Sequence, residues 1–166
     1  MKKPEENVPV QVIKGSASVP DRLRILNRKQ RHAVLATDAQ GQPYPSLVAY
    51  ALTLDGKGVL FATPRSTRKY KNVIANNRVS LLIDTRSNTD RGYLQAESLT
   101  ILGKAHPVRK GAKWISLAEI LIKKHPGLAE FVHFPATALI YVEIMHCVHV
   151  SQFQTVSEWH KETSRS

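Results

Sequence analysis

The sequence predicts a mainly β protein with flanking helices, an antiparallel barrel of six or more strands with two to four helices. Three observations predict it. Apolar and β-branched runs recur along the chain and several are joined by tight turns. Their number is enough to close a sheet on itself. No regular strand–helix–strand alternation occurs, which excludes a doubly wound dinucleotide-binding domain. With 166 residues, 42% hydrophobic and 22% charged, the chain has the size and composition of one globular domain. Residues 18–160 are read as that domain, residues 1–17 as a polar arm or edge strand, and residues 161–166 as a frayed tail.

The elements follow in order. Ser18 caps a helix running to Arg31, with Pro20 in its first turn and Asp21 beside the positive dipole end. Leu23, Ile25 and Leu26 form its apolar stripe. His32–Asp38 is a strand, Ala39–Gln42 a turn, and Tyr44–Leu54 a second strand. Asp55-Gly56-Lys57-Gly58 is a hairpin turn, because glycine tolerates positive φ. Val59–Thr63 returns as a third strand. The period then changes: Tyr70, Val73, Ile74 and Asn77 share one face of a helix over Ser66–Asn77. Val79–Asp84 reads as a buried strand, Thr85–Gly92 as a loop, and Tyr93–Val108 as a long strand bent near Gly103. Trp114, Ile115, Leu117, Ala118, Leu121 and Ile122 mark an amphipathic helix ending around His125-Pro126-Gly127. Ala138–Phe153 is strand-like, one arm of a hairpin or two consecutive strands.

Charge and cysteine content narrow the function. The chain has 24 Lys and Arg against 13 Asp and Glu, a net charge of +11. Such a surplus fits nucleic acid, an anionic surface or an anionic small molecule. Cys147 is the only cysteine, so no intramolecular disulfide and no Cys-rich zinc site can form. The N-terminus shows no signal-peptide pattern and no stretch is long enough for a helical membrane span, so a cytoplasmic location without membrane contact is expected.

The densest chemical signal is Phe61-Ala62-Thr63-Pro64-Arg65-Ser66-Thr67-Arg68-Lys69-Tyr70-Lys71. A strand ends and a helix begins, with hydroxyls and cations in its first turn and no acid. Free backbone N–H groups and the helix dipole already favour an anion there. Four cations placed against the positive end of that dipole point to a phosphate ligand or to a solvated basic patch, and spacing alone leaves both open.

At this point the sequence resembles a family, the FMN-binding split β-barrels of the pyridoxamine 5′-phosphate oxidase superfamily, over residues 20–105. The matching order is Ala33-Val34-Leu35-Ala36-Thr37, Gly41-Gln42-Pro43-Tyr44-Pro45-Ser46-Leu47-Val48, Phe61-Ala62-Thr63, Ser66-Thr67-Arg68-Lys69, Asn77-Arg78-Val79-Ser80-Leu81-Leu82 and Leu102-Gly103-Lys104-Ala105. Each piece is a short run of common residues; their order and spacing carry the likeness. The resemblance implies an FMN-dependent oxidoreductase with its site between the protomers of a homodimer. Leu47, Val48, Ala49 and Tyr50 would run along the isoalloxazine through backbone groups. Ala62 and Thr63 would end the neighbouring strand. Thr67, Arg68 and Lys69 would clamp the phosphate with Ser66 as cap, and Ser98 would supply a further polar contact. The implied partners are a small anionic or aromatic substrate and a nicotinamide or deazaflavin electron donor.

Two departures stand out. The flavin-facing strand commonly starts with Arg where this chain has Ser46-Leu47. The C-terminal Arg-x-His segment that holds pyridoxamine phosphate is replaced by Val156-Ser157-Glu158-Trp159-His160-Lys161, so oxidation of that substrate is not expected. A related branch of the split barrels handles haem through histidine, which gives a haem-binding or haem-degrading alternative. A basic nucleic-acid-binding module is the rival from another class. Eight of the first 31 residues are Lys or Arg, yet aromatics are only 7% and no nucleic-acid-binding motif occurs, so nucleic acid is not the expected partner. No metal is expected. His146 and His149 point to opposite faces of a strand, and Cys147 with His149 offers two ligands where structural zinc takes four. Cys147 itself reads as core.

Overall fold

The computed structural model describes residues 18–152 and 155–162, so the expected arm at 1–17, Phe153 and residues 163–166 lie outside the described residues. Helix α1 (Val19–Lys29) starts where its cap requires, with the Ser18 hydroxyl accepting from the Asp21 N–H. It buries Val19, Leu23 and Leu26.

Strands β1 (His32–Ala39) and β2 (Gln42–Leu52) are joined by Gln40-Gly41. Both turn residues have positive φ, 57° and 79°. Two consecutive positive-φ residues match the twist of a tight hairpin. A second hairpin joins β2 to β3 (Gly58–Pro64). Its turn is held by the Asp55 carboxylate, which accepts from the Thr53 hydroxyl at 2.6 Å and the Lys57 N–H at 3.0 Å. Those hydrogen bonds hold the Asp55 carboxyl below its usual range.

Helix α2 (Arg68–Ala75) leads into β4 (Arg78–Asp84), and a one-turn helix, α3 (Gly92–Gln95), precedes β5 (Ser98–Pro107). Then come α4 (Ala112–Lys124), a short 3-10 turn (Pro126–Leu128), α5 (Ala129–His133), β6 (Thr137–Ser151) and β7 (Thr155–His160).

All strand pairs are antiparallel. Six strands run in the order β3-β2-β1-β4-β5-β6, and pairing of β3 with β6 closes them into a barrel. The seventh, β7, pairs outside that ring, on β6. One apolar cluster fills the barrel, including Leu35, Tyr50, Phe61, Leu81, Ile101 and Ile140, and α1 adds Leu23 and Leu26 to it. Ala51 and Leu139, one residue out of phase, face outward and meet Trp114, Ala118, Leu121 and Val132 from α4 and α5. The alternation of strand side chains thus places apolar residues on both faces of β2 and β6. Burial of a side chain such as Leu121 stabilises by about 1.5–3 kcal/mol.

The structure corrects several sequence expectations. The strand expected from Tyr93 begins at Ser98, because the Thr89 and Arg91 carbonyls accept from the Gly92 and Leu94 N–H groups and wind 92–95 into a turn. Helix α2 starts at Arg68 rather than Ser66. It buries Asn72 and Val73, whereas Ile74 and Asn77 are exposed, so its inward face is rotated from the apolar pattern. The cause is polar: Asn72 Nδ2 donates to Thr37 Oγ1 at 3.0 Å in a buried contact, and Thr37 Oγ1 donates to the Tyr44 carbonyl at 3.3 Å. Of the two readings of the C-terminal strand-like run, the first holds: it is one strand, β6, the first arm of a hairpin whose second arm is β7.

The bend expected near Gly103 is a register shift between Leu102 and Gly103 in the β5–β6 ladder. A Cβ at Gly103 would collide with the Glu143 carbonyl oxygen. Gly103→Ala is therefore expected to lower stability by about 1–3 kcal/mol, the cost of forcing extra volume into a packed sheet. Urea unfolding measures this; an unchanged midpoint would show that the strands part without strain.

Candidate functional site

The barrel is open between β2 and β3. Their ladder covers only Tyr50–Leu52 against Val59–Phe61. Beyond it, Ala62–Pro64 keep only their pairing with Leu139–Thr137 of β6 on the far edge of β3, while Leu47–Ala49 pair with β1 on the far edge of β2. The Tyr50 N–H reaches the Arg31 carbonyl on the β1 side. Backbone groups alternate along a strand, so those of Val48 and Tyr50 face β1 and those of Leu47 and Ala49 face the opening. Among the four residues expected along the flavin, two thus present main-chain donors and acceptors to the gap. Leu47 also presents an exposed side chain, while the Val48 and Tyr50 side chains are buried in the barrel core. Burial drives the Tyr50 phenol strongly upward, so it stays protonated.

The turn after β3 sits beside this opening. Thr67, not Ser66, is the N-cap of α2: its Oγ1 accepts from the Tyr70 N–H at 3.3 Å. The same hydroxyl lies 2.9 Å from the Pro64 carbonyl and 2.8 Å from Thr63 Oγ1, which fixes the turn to the strand end. Thr63 is buried, and Ala62 is half-buried against the outer cluster. The N–H groups of Thr67, Tyr70 and Lys71 are all engaged within the turn. Those of Arg68 and Lys69, at the first two helical positions, point out of the helix end for a ligand.

The cations divide. Arg65 donates to the Tyr70 hydroxyl at 2.9 Å, and the Arg68 guanidinium lies over the Tyr44 ring at 5.1 Å. Among the described residues, Arg65, Arg68, Lys69 and Lys71 form no ion pair. The donor set is two free N–H groups and uncompensated cations at a positive dipole end, which suits a phosphomonoester; the Thr67 hydroxyl, committed to the Pro64 carbonyl and the Tyr70 N–H, holds the turn that presents them. Ser66 is exposed on the same turn. Ser98 is not brought to this turn within one chain. It starts β5 opposite Asp84 and Val150, whereas the β5 residue beside α2 is Ala105, whose N–H donates to the Asn77 carbonyl.

A family model described as Pyridoxamine 5'-phosphate oxidase matches residues 19–150. The chain belongs to the pyridoxamine 5′-phosphate oxidase family. A search of curated proteins returns no significant match. Solved structures share the fold at low identity. A haem binding protein from Mycobacterium smegmatis superposes with a TM-score of 0.77 at 15% identity, over 89% of this chain and 60% of that one. This chain therefore spans less than two thirds of that protein. HutZ, the haem storage protein from Vibrio cholerae, gives 0.66 at 17% identity, over 77% and 91% of the two chains. General Stress Protein 26 from Bacillus anthracis gives 0.63 at 14% identity, over 85% and 98%.

Residues outside the opening resolve into structural parts. His149 is buried with Nε2 2.9 Å from Glu97 Oε1, while His146, three residues earlier, turns to the other face. Cys147 is buried and its thiol is pushed up to about 12 by desolvation, which suits a core residue and not a nucleophile. Trp114 is buried under α4 with the Lys110 ammonium over its ring. Among the described residues, no helix is long and apolar enough to cross a membrane.

Proposed function

We propose that the chain binds FMN non-covalently in the opening between β2 and β3, at the interface of a homodimer, and serves as an oxidoreductase for a small anionic or aromatic substrate. One observation carries the reading: a helix start with free Arg68 and Lys69 N–H groups and unpaired cations lies beside an unpaired strand edge. Arg68 and Lys69 hold the phosphate, with Thr67 as the cap that fixes the turn and Ser66 at the rim. The Leu47 and Ala49 main chain offers hydrogen bonds to the ring edge, and Ala62 and Thr63 form the adjoining wall. Ser98 joins such a site only from a second copy. The bound flavin supplies hydride or electron transfer; the protein supplies position, field and exclusion of water. A nicotinamide or deazaflavin donor is compatible with that chemistry.

Haem is the second reading, favoured by the haem binding and haem storage proteins among the structural neighbours. The visible spectrum of the purified protein, with and without added FMN or haemin, separates the two. Quenching of FMN fluorescence to one flavin per chain is the expected result. A Soret band on haemin addition with no flavin quenching would overturn the flavin reading.

A further inference from the structure

We infer that His146, Glu158 and His160 form a binding site for one divalent ion of the zinc type on the outer face of the terminal hairpin. The inference rests on residues the flavin site does not use. His146 lies directly opposite His160 in the β6–β7 ladder, and Glu158 stands two residues before His160. The period of two puts 158 and 160 on one face, and direct pairing puts 146 on that face as well. Cys147, the next residue, faces the core.

The distances fit a metal. His146 Nε2 and His160 Nε2 lie 3.3 and 3.4 Å from the same oxygen, Glu158 Oε2. Ligands bound at about 2.0–2.1 Å to a tetrahedral zinc stand about 3.3–3.4 Å from one another. All three ligand atoms fall within 4.8 Å of each other. The two imidazoles are stacked, with centroids 3.8 Å apart and planes 17° from parallel, so bringing both lone pairs onto one ion requires a tilt of the His160 ring, whose side chain is exposed and able to turn. His146 Nε2 is shut off from solvent and makes no hydrogen bond. Such an atom calls for a partner, and an ion coordinated by both imidazoles and the carboxylate supplies one.

Two imidazoles and a carboxylate select zinc, cobalt, nickel or copper over the hard ions magnesium and calcium. The fourth position is left to solvent, because His160 and Glu158 are exposed. Since, among the described residues, β7 pairs only with β6, the ion also clips β7 to the barrel.

The test uses protein stripped with chelator and then titrated with Co²⁺ or Zn²⁺ alone. The expected result is one ion per chain, visible absorption from low-coordinate cobalt, and a rise in Tm on zinc addition. Loss of an outer-shell partner costs about 10–100-fold in affinity, so loss of a direct ligand costs at least that. His160→Ala and Glu158→Gln change exposed side chains and are expected to lower affinity by that factor and remove the cobalt spectrum. His106→Ala, which removes an exposed histidine elsewhere, is expected to leave both unchanged. Absence of binding by the unaltered protein, or binding indifferent to His160→Ala and Glu158→Gln, would overturn the inference. So would an equal loss on His106→Ala.

Discussion

Replacing Arg68 and Lys69 together by alanine is expected to weaken FMN binding by about 3–5 kcal/mol, two to four orders of magnitude, while leaving the fold intact. Each charge-assisted contact to a phosphate contributes roughly 1.5–3 kcal/mol. The two side chains carry no ion pair whose loss would unfold the turn, and the turn itself is held by the Thr67 hydroxyl. The control has to be chosen from the structure. Arg22 and Arg24 look like equivalent surface cations in the sequence, but Arg22 is bound to Glu97 and Arg24 lies 3.4 Å from Asp21. Arg28 and Lys29 are exposed at the end of α1, and replacing them removes the same charge without touching a contact of the turn. Isothermal titration with FMN at two salt concentrations measures all three proteins. Equal weakening by the two double replacements, removed by salt, would mean diffuse attraction and no phosphate site.

The strands and their antiparallel order were legible because local signals set them: Gln40-Gly41 and the Asp55–Gly58 turn both demand hairpins. The cationic character of the α2 start was also legible, since a strand end, hydroxyls and four cations fall within eleven consecutive residues. What escaped was set at long range. The inward face of α2 depends on Asn72 meeting Thr37, 35 residues away, so a pattern of apolar residues alone selects the wrong side. The cap depends on which of two adjacent hydroxyls reaches the Tyr70 N–H, a matter of one backbone turn. The parting of β2 from β3 depends on their outer edges being held by different strands, β2 by β1 and β3 by β6, the latter more than 70 residues later. The juxtaposition of His146 with His160 requires the register of a second strand whose start lies beyond Phe153. The basic helix divides in the same way, because a carboxylate 75 residues away claims Arg22 and leaves Arg28 and Lys29 in solvent.

That carboxylate supports the other large expected effect. Glu97→Gln is expected to destabilise the protein by about 3 kcal/mol and to remove part of its acid sensitivity. Glu97 immediately precedes β5 and joins three elements: Arg22 of α1 donates to both its oxygens, with Nε at 2.7 Å from Oε1, and His149 of β6 meets Oε1 at 2.9 Å. Its backbone is fixed too, by the Thr85 hydroxyl and N–H. Breaking a buried pair by removing one partner costs about 3–5 kcal/mol; Arg22 keeps some solvent contact, which places this case at the lower end. Burial pushes the Glu97 carboxyl up, but the hydrogen bonds and charges of Arg22 and His149 outweigh it and hold the group below its ordinary 4.5. A carboxyl lowered in the folded state stabilises fully above its unfolded value and loses that contribution as pH falls through the folded one. The Tm of the unaltered protein should therefore drop as pH falls below 4.5, and the drop should be smaller in Glu97→Gln, which has no proton to take up. Parallel Tm curves for the two proteins across that range would show that the three-element bridge contributes nothing to the barrel, and the effect would then have to come from Glu143 or Asp55, whose carboxyls are also held low.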